Sequence, residues 1–433
     1  MVREYGTTAV FTRAPIVPAM EDELIDSASL SLSRKSQLPG TGFFYPDSLD
    51  EDRTEERVAE AVDGAEAVVV ADTDADGLGC VALIRELYDA TLEWATFEDD
   101  ISGRVERWGS DGATDESDSE DADADDEDDE RATSTVALVG AGPYSLDEAL
   151  ENVAEHAPTG IDLYVCDLCP DEYAWIAEEL AAAVEIASSV AWYDHHQWSD
   201  ETAAAVREAG VDLVVGESDE ECTVDVTLRS LDYDFDERWA ELAAVTRDHD
   251  LWLKEDPRSD DLADYAYWTD PEEYVTVVGR FGVDLPAVVE EYIELRRVEK
   301  EELIEAAVSR AETKQVGPWT VGVTYGRCSQ NEVAEALRQD GADAAVVVKP
   351  AGSASIRGSE GFERAHEVAG HVNGGGHPKA AGCKPDIYDD MLDYAHHWTT
   401  QGATAKRVIL RAFERVAAEV EAEGDGDESD EGE

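Results

Sequence analysis

A-V-V-V-A-D-T-D-A-D-G-L-G-C, residues Ala67–Cys80, changes character halfway along. Its apolar, mostly β-branched opening reads as a buried parallel strand, because strands covered on both faces run hydrophobic without alternation. The strand runs out into Asp72, Asp74 and Asp76, three carboxylates at every second position, then Gly77 and Gly79. An apolar run follows and predicts a helix over Val81–Ala95. In an open α/β sheet, ligands sit beyond the carboxyl ends of the strands. Three carboxylates in that crevice repel one another unless a cation lies among them, so a divalent metal is the natural occupant. The spacing also opens like a calcium EF-hand loop. That reading fails at the twelfth loop position, which is Leu83 where a bidentate Glu is required.

Outward from this stretch the pattern repeats. Thr135–Gly140, Ile161–Asp167, Ser188–Tyr193 and Val211–Val215 read as further buried strands, separated by helical or turn-rich segments. Strand–helix alternation of this kind implies α/β architecture with a doubly wound parallel sheet. Ile161–Asp167 ends on Asp167, and Ser188–Tyr193 runs into Asp194-His195-His196. Chance explains one acid or histidine at a strand end easily, and three poorly. A helix over Glu237–Trp252 carries Asp248-His249-Asp250 near its end.

Residues 1–50 read as an irregular N-terminal extension, apart from the start of a helix over Leu49–Val62. Residues 51–284 read as the metal-bearing domain. Within it, Asp111–Glu130 is nearly all Asp, Glu, Ser and Ala, too densely charged to pack, and reads as a disordered insertion. Leu285–Lys314 is a long amphipathic helix suited to connect domains. Residues 315–422 read as a smaller α/β domain. Its strands fall at Thr320–Thr324, Ala344–Val348 and Ser353–Arg357, and its helices at Asn331–Leu337, Glu363–Val372 and Lys406–Ala422. Residues 423–433 form an acidic tail.

Composition bounds the setting. The 433 residues include 33 basic and 103 acidic ones, a formal net charge of −70. The economical explanation is a salt-in halophile, where molar salt shrinks the Debye length to about 3 Å and screens the repulsion. Acidity then reports habitat and does not exclude nucleic acid as a partner. A hydrophobic content of 43% with ten tryptophans argues against a disordered solvating chain. The six cysteines offer only one C-x-x-C, Cys166 and Cys169, which reads as reduced cytoplasmic thiols. No signal peptide and no membrane-spanning run are visible.

In the first domain the chemistry-bearing set is Asp72, Asp74, Asp76, Asp167, His195 and an Asp at 248 or 250. Mixed carboxylate and imidazole ligands suit Mn²⁺, with Mg²⁺ as the all-oxygen alternative. Six ligands suit two ions sharing a bridging carboxylate, the usual arrangement for phosphate-ester hydrolysis. In the second domain, Gly374–Gly382 (G-G-G-H-P-K-A-A-G) lets backbone N–H groups approach an anion, with His377 and Lys379 adding positive charge. Arg357 is a further clamp for phosphate.

D-T-D-A-D-G, Asp167, Asp194-His195-His196 and G-G-G-H-P-K-A-A-G together resemble the DHH phosphoesterase superfamily with its associated C-terminal domain. The nearest members are RecJ-like exonucleases and short-oligonucleotide phosphodiesterases. The resemblance covers about residues 60–385. It implies that Asp74 binds one metal, Asp76 the other, and that Asp167 bridges them. It further implies His195 as a ligand, His196 as a catalytic contact to the scissile phosphate, and Asp72 where some relatives carry histidine. D-H-D-L-W departs from the common fourth motif, and Asp250 is favoured over Asp248. Gly374, Gly375, Gly376, His377 and Arg357 would hold substrate phosphate or sugar. The implied activity is two-metal hydrolysis of single-stranded DNA or RNA, or of short oligonucleotides, by a metal-bridging hydroxide. Replication or repair proteins are implied partners. A cyclic-dinucleotide or other small-nucleotide phosphodiesterase and a non-catalytic replisome scaffold are the alternatives.

Overall fold

The computed structural model describes residues 47–109, 134–142, 145–170, 172–387 and 391–427. The acidic insertion at 111–130, most of the N-terminal extension and the end of the tail lie outside these residues.

Five strands form the first sheet: β1 (Ala67–Ala71), β2 (Val136–Gly140), β3 (Asp162–Cys166), β4 (Ser189–Asp194) and β5 (Asp212–Val215). Their order is β2-β1-β3-β4-β5, and every pairing is parallel. β1 shows why its sequence does not alternate. Ala67, Val69 and Ala71 enter one core and Val68 and Val70 the other, all of them fully buried. Helices therefore cover both faces, each buried valine contributing roughly 1.5–3 kcal/mol. In this strand order the chain reverses direction of travel between β1 and β3. That switch point opens a crevice at their carboxyl ends.

The Ala287–Ser309 helix leads from this unit into a second sheet with its own core. Its strands are β6 (Glu312–Val316), β7 (Trp319–Tyr325), β8 (Ala344–Val348), β9 (Ala354–Gly358), β10 (Gly374–Gly376) and β11 (Ala380–Cys383). They lie in the order β10-β11-β9-β8-β7-β6, and only β7 and β8 run parallel. The doubly wound sheet joined by a long helix to a smaller α/β unit matches the expected fold class.

Several boundaries differ from expectation. The helix after β1 spans Ala75–Leu87, so it starts six residues before Val81. Asp74 caps it, accepting hydrogen bonds from the N–H groups of Asp76 (2.9 Å) and Gly77 (3.2 Å). Gly77 belongs inside the first turn because a Cβ there would stand 2.2 Å from the Asp72 carbonyl oxygen. The connector stops at Ser309, and Glu312–Lys314 instead pairs as edge strand β6 with β7. The helix expected over Glu363–Val372 is confined to Ala365–Gly370. Helices at Ala95–Gly109, Arg258–Trp268, Pro271–Phe281 and Met391–Thr399 add to the expected set. All six cysteines are free thiols. Among the described residues, no helix is long and apolar enough to cross a membrane.

Candidate metal centre and substrate cleft

The crevice at the switch point collects side chains from four elements. Asp76, in the first turn of its helix, is buried, and its carboxylate accepts the N–H groups of Thr223 (2.7 Å) and Val224 (2.9 Å). Those donors open the Thr223–Ser230 helix, whose positive end favours the anion. Asp167 follows β3 with φ of +61°, a left-handed conformation that Asp and Asn adopt more readily than other side-chain-bearing residues. The Thr223 hydroxyl donates to its carboxylate at 2.9 Å.

His195 follows β4 and directs Nε2 toward three carboxylates. These are Asp250 at 3.4 Å, and Asp76 and Asp167 at 3.9 Å each. Its Nδ1 is buried without a hydrogen-bond partner. Two overlapping groups result, Asp76–His195–Asp250 and Asp167–His195–His196, each with ligand-capable atoms within 4.8 Å of one another.

Asp248 and Asp250 separate clearly. Asp250 faces His195, whereas the Asp248 carboxylate accepts the Glu255 N–H (2.8 Å) and the Ser259 hydroxyl (2.7 Å). Asp72 and Asp74 border the site but fall outside both groups. Asp74 is occupied in capping, and Asp72 accepts the Thr73 N–H at 2.6 Å.

The electrostatics express crowding. Burial, then the neighbouring charges of Asp76 and Asp74, push the Asp250 carboxyl up to about 8. Burial and Asp74 raise Asp72 to about 6, and burial followed by Asp76 and Asp74 holds Asp167 well above the usual carboxylate range. Burial raises Asp76 as well. His196 moves the other way in charge. Burial opposes its cationic form most strongly, but the hydrogen bond to Asp194 (2.7 Å) and the charges of Asp194, Asp250 and Asp76 together outweigh it and lift the imidazole to about 9. Asp194 is fully buried and is also held by the Trp198 indole N–H at 2.6 Å. With Nδ1 committed to Asp194, His196 is a cation with Nε2 left as a donor.

The second sheet supplies the facing wall. Arg357 on β9 donates from Nε to Asn331 at 2.9 Å and otherwise only to backbone carbonyls. Lys349, just past β8, makes no ion pair among the described residues. Burial lowers both, Lys349 further through Arg357 and Arg357 further through Arg338. The glycine segment is an edge hairpin, not a free loop. A Cβ on Gly374 would meet the Gly382 carbonyl at 2.1 Å, while Gly375 borders open space. His377 closes the hairpin with its N–H on the Ala380 carbonyl (2.7 Å). Partial burial and then the charges of His196 and His195 lower its pKa, which places it across from the metal centre. Lys379 pairs with Glu363 at 3.3 Å, both side chains being exposed.

A cavity of about 570 Å³ joins the two walls, reaching from Asp74, Asp76 and Asp250 to Lys349 and Arg357. That volume lies within the roughly 300–1,000 Å³ of small-ligand sites. Thr223, Trp198 and Lys349 line or support this site without having been singled out in the sequence, and Asp194 was quoted there only as part of its motif. The available signals were a helix-opening T-V-D at Thr223–Asp225, the acid two residues before His196, and the scarcity of lysine.

No family model and no curated protein matches the chain. Among solved structures, it is similar to an exonuclease RecJ bound to manganese, at 14% identity over 86% of this chain and 96% of that one, TM-score 0.45. A RecJ in complex with Mn²⁺ from Thermus thermophilus aligns at 15% identity over 86% of this chain and 56% of that one, TM-score 0.45. A pGpG-specific phosphodiesterase, PggH from Vibrio cholerae, aligns at 11% identity over 79% and 98%, TM-score 0.41.

Proposed function

We propose that this protein is a metal-dependent phosphodiesterase of the DHH type that hydrolyses single-stranded nucleic acid or short oligonucleotides. Residues 51–284 serve as its catalytic domain, 285–314 as connector and 315–422 as substrate-binding domain. The observation that carries this reading is the convergence of Asp76, Asp167, His195 and Asp250 opposite a wall bearing Lys349, Arg357 and His377.

The donor set fits divalent ions. Crowded carboxylates that raise one another's pKa gain most from a cation, and the mixed oxygen and nitrogen ligands suit Mn²⁺, with Mg²⁺ as the alternative. Asp76, Asp167, His195 and Asp250 would hold two such ions, with Asp167 between them and Asp72 and Asp74 completing the set. When bound, the ions supply Lewis acidity toward phosphorus and an activated water.

The remaining steps belong to the chain. Thr223 and Val224 orient Asp76, and Thr223 orients Asp167. Asp194 keeps His196 protonated and aimed through Nε2 at a phosphate oxygen, where negative charge develops. Arg357, Lys349, His377 and the backbone at Gly374, Gly375 and Gly376 would grip phosphate or sugar next to the cut. A cavity of about 570 Å³ is the size of a small-ligand site and keeps a small-nucleotide phosphodiesterase as the second reading.

The test is turnover of labelled single strands of graded length, with Mn²⁺ in molar KCl. Hydrolysis that requires the metal and is fastest on the shortest strands supports the reading. Activity indifferent to chelation overturns it.

A further inference from the structure

We propose that the cleft contains a nucleobase subsite built from Trp252 and Tyr267, so that the enzyme grips a base beside the cut as well as the phosphates. This rests on the phosphodiesterase reading above and names what lies between its metal centre and its cations.

Both aromatics line the cavity that joins Asp250 to Lys349 and Arg357. Tyr267 is 82% exposed and has no ring or hydrogen-bond partner among the described residues. Trp252 has φ of +56° because it ends the Glu237–Asp250 helix in a left-handed turn, its N–H on the His249 carbonyl (2.9 Å) and the Leu253 N–H on the Asp248 carbonyl (2.8 Å). Asp248, which faces away from the metal centre, helps shape this turn. Its carbonyl accepts the Leu253 N–H (2.8 Å) and its carboxylate accepts the Glu255 N–H and the Ser259 hydroxyl. The acid nearest the metal ligand in sequence thus builds the loop that sets Trp252 two residues beyond Asp250.

Cations furnish the aromatic wall. Lys254 Nζ stands 3.8 Å from the Trp252 ring centroid, and neighbouring Trp268 has Arg296 at 5.7 Å and Lys300 at 5.9 Å.

The charge balance of the chain explains the need. A protein of net charge −70 repels a polyphosphate at long range, and in molar salt generic phosphate attraction is screened. Stacking on an aromatic face is sequence-tolerant, because every base has a π-face, and is worth roughly 5- to 150-fold per base.

The test compares a 5′-phosphorylated dinucleotide with a non-hydrolysable methylenephosphonate linkage against its counterpart lacking one base. Binding is read by calorimetry on the full chain with Mn²⁺ in molar KCl. The wild type is expected to prefer the base-bearing ligand by roughly 5- to 150-fold. Trp252→Ala and Tyr267→Ala should move that ratio toward one, and Trp252→Phe should keep most of it. Tyr267 is exposed enough that its substitution does not threaten the fold. A wild-type ratio near one, an unchanged ratio in both alanine variants, or no binding of either ligand overturns the subsite. If the ratio behaves as expected but cleavable dinucleotides are not turned over, the phosphodiesterase reading falls and the subsite stands. If dinucleotides are cleaved with a ratio near one, the reverse holds.

Discussion

Around the ends of β1, β3 and β4, the carboxylates of Asp167 and Asp250 crowd against their neighbours until they retain protons well above their ordinary range. Across the cleft, Lys349 and Arg357 lie half-buried beside each other, and among the described residues no carboxylate is paired with either. In a chain with 103 acidic and 33 basic residues, both arrangements run against what stability alone would select. Acids elsewhere sit mostly on the surface, and most other cations are paired with one. The lesson is that function shows where burial and pairing depart from the composition, not where the composition is most extreme. Each wall lacks the charge that its own ligand would bring: cations for the acids, phosphate for the bases.

The comparison breaks most visibly at Asp167. Asp167→Asn keeps the side-chain shape and a backbone conformation with φ of +61° that Asn tolerates, so the fold should survive. Metal-dependent turnover should be abolished, and near-normal rates in that variant would remove the metal wall from the account.

On the cationic wall, Arg357→Ala and His377→Ala should retain bound metal. A charge-assisted hydrogen bond to phosphate is worth about 1.5–3 kcal/mol, so kcat/KM should fall roughly 10- to 150-fold in each. Unaltered steady-state kinetics in both would reduce the G-G-G-H hairpin to a structural edge.

Asp194→Asn sharpens the comparison at the one cation within the acidic wall. Activity that needs His196 protonated declines as pH rises through about 9. Losing the Asp194 charge should draw that alkaline limb toward neutrality. A pH–rate profile that keeps its limb in place would show that Asp194 serves packing only.

Metal removal should leave a pH signature in stability. Asp250, raised to about 8 in the fold against about 3.9 unfolded, contributes stability below about pH 4 that is lost as pH rises through 8. His196, raised to about 9, contributes stability below about 6.5 that is lost on the way to 9. Both signs agree, so the chelated protein should melt lower at about pH 8.5 than at about pH 5.5. Mn²⁺ should restore more at the higher pH, because the carboxylates must lose their protons to bind. Equal melting temperatures at the two values would mean the crowding is relieved in some other way. Lowering salt toward 0.1 M, where the Debye length grows to about 10 Å, should reduce melting temperature more gradually. Full stability in dilute buffer would contradict the halophile inference.

Much of this was legible in the sequence, and the exceptions have physical causes. The parallel strands were readable within about a residue because burial on both faces leaves unbroken apolar runs such as Ala67–Ala71 and Ala344–Val348. The start of the Ala75–Leu87 helix was hidden, since Asp76, Gly77 and Gly79 have low helix propensity and are held there by close packing. Glu312–Val316 is exposed over four of its five positions and carries no strand pattern. Gly374–Gly376 has no β propensity of its own, and its strand exists because β11 pairs with it. Asp167 and His195 were readable as an acid and a histidine at strand ends, and Asp250 as an acid near the end of a helix. The support from Thr223 was not, because hydrogen bonds between distant segments leave no local trace; Asp194 stood in the quoted Asp194-His195-His196 run, but its bond to His196 could not be read from it.

The central claim is that the acidic wall is a two-ion site that drives hydrolysis. Calorimetric titration of the chelated chain with Mn²⁺ in molar KCl, read alongside turnover of a 5′-labelled dinucleotide, tests it directly. Two ions per chain are predicted, with turnover saturating only as the second binds and both effects lost in Asp167→Asn. Undiminished hydrolysis after exhaustive chelation, or two bound ions with normal turnover in Asp167→Asn, would contradict it.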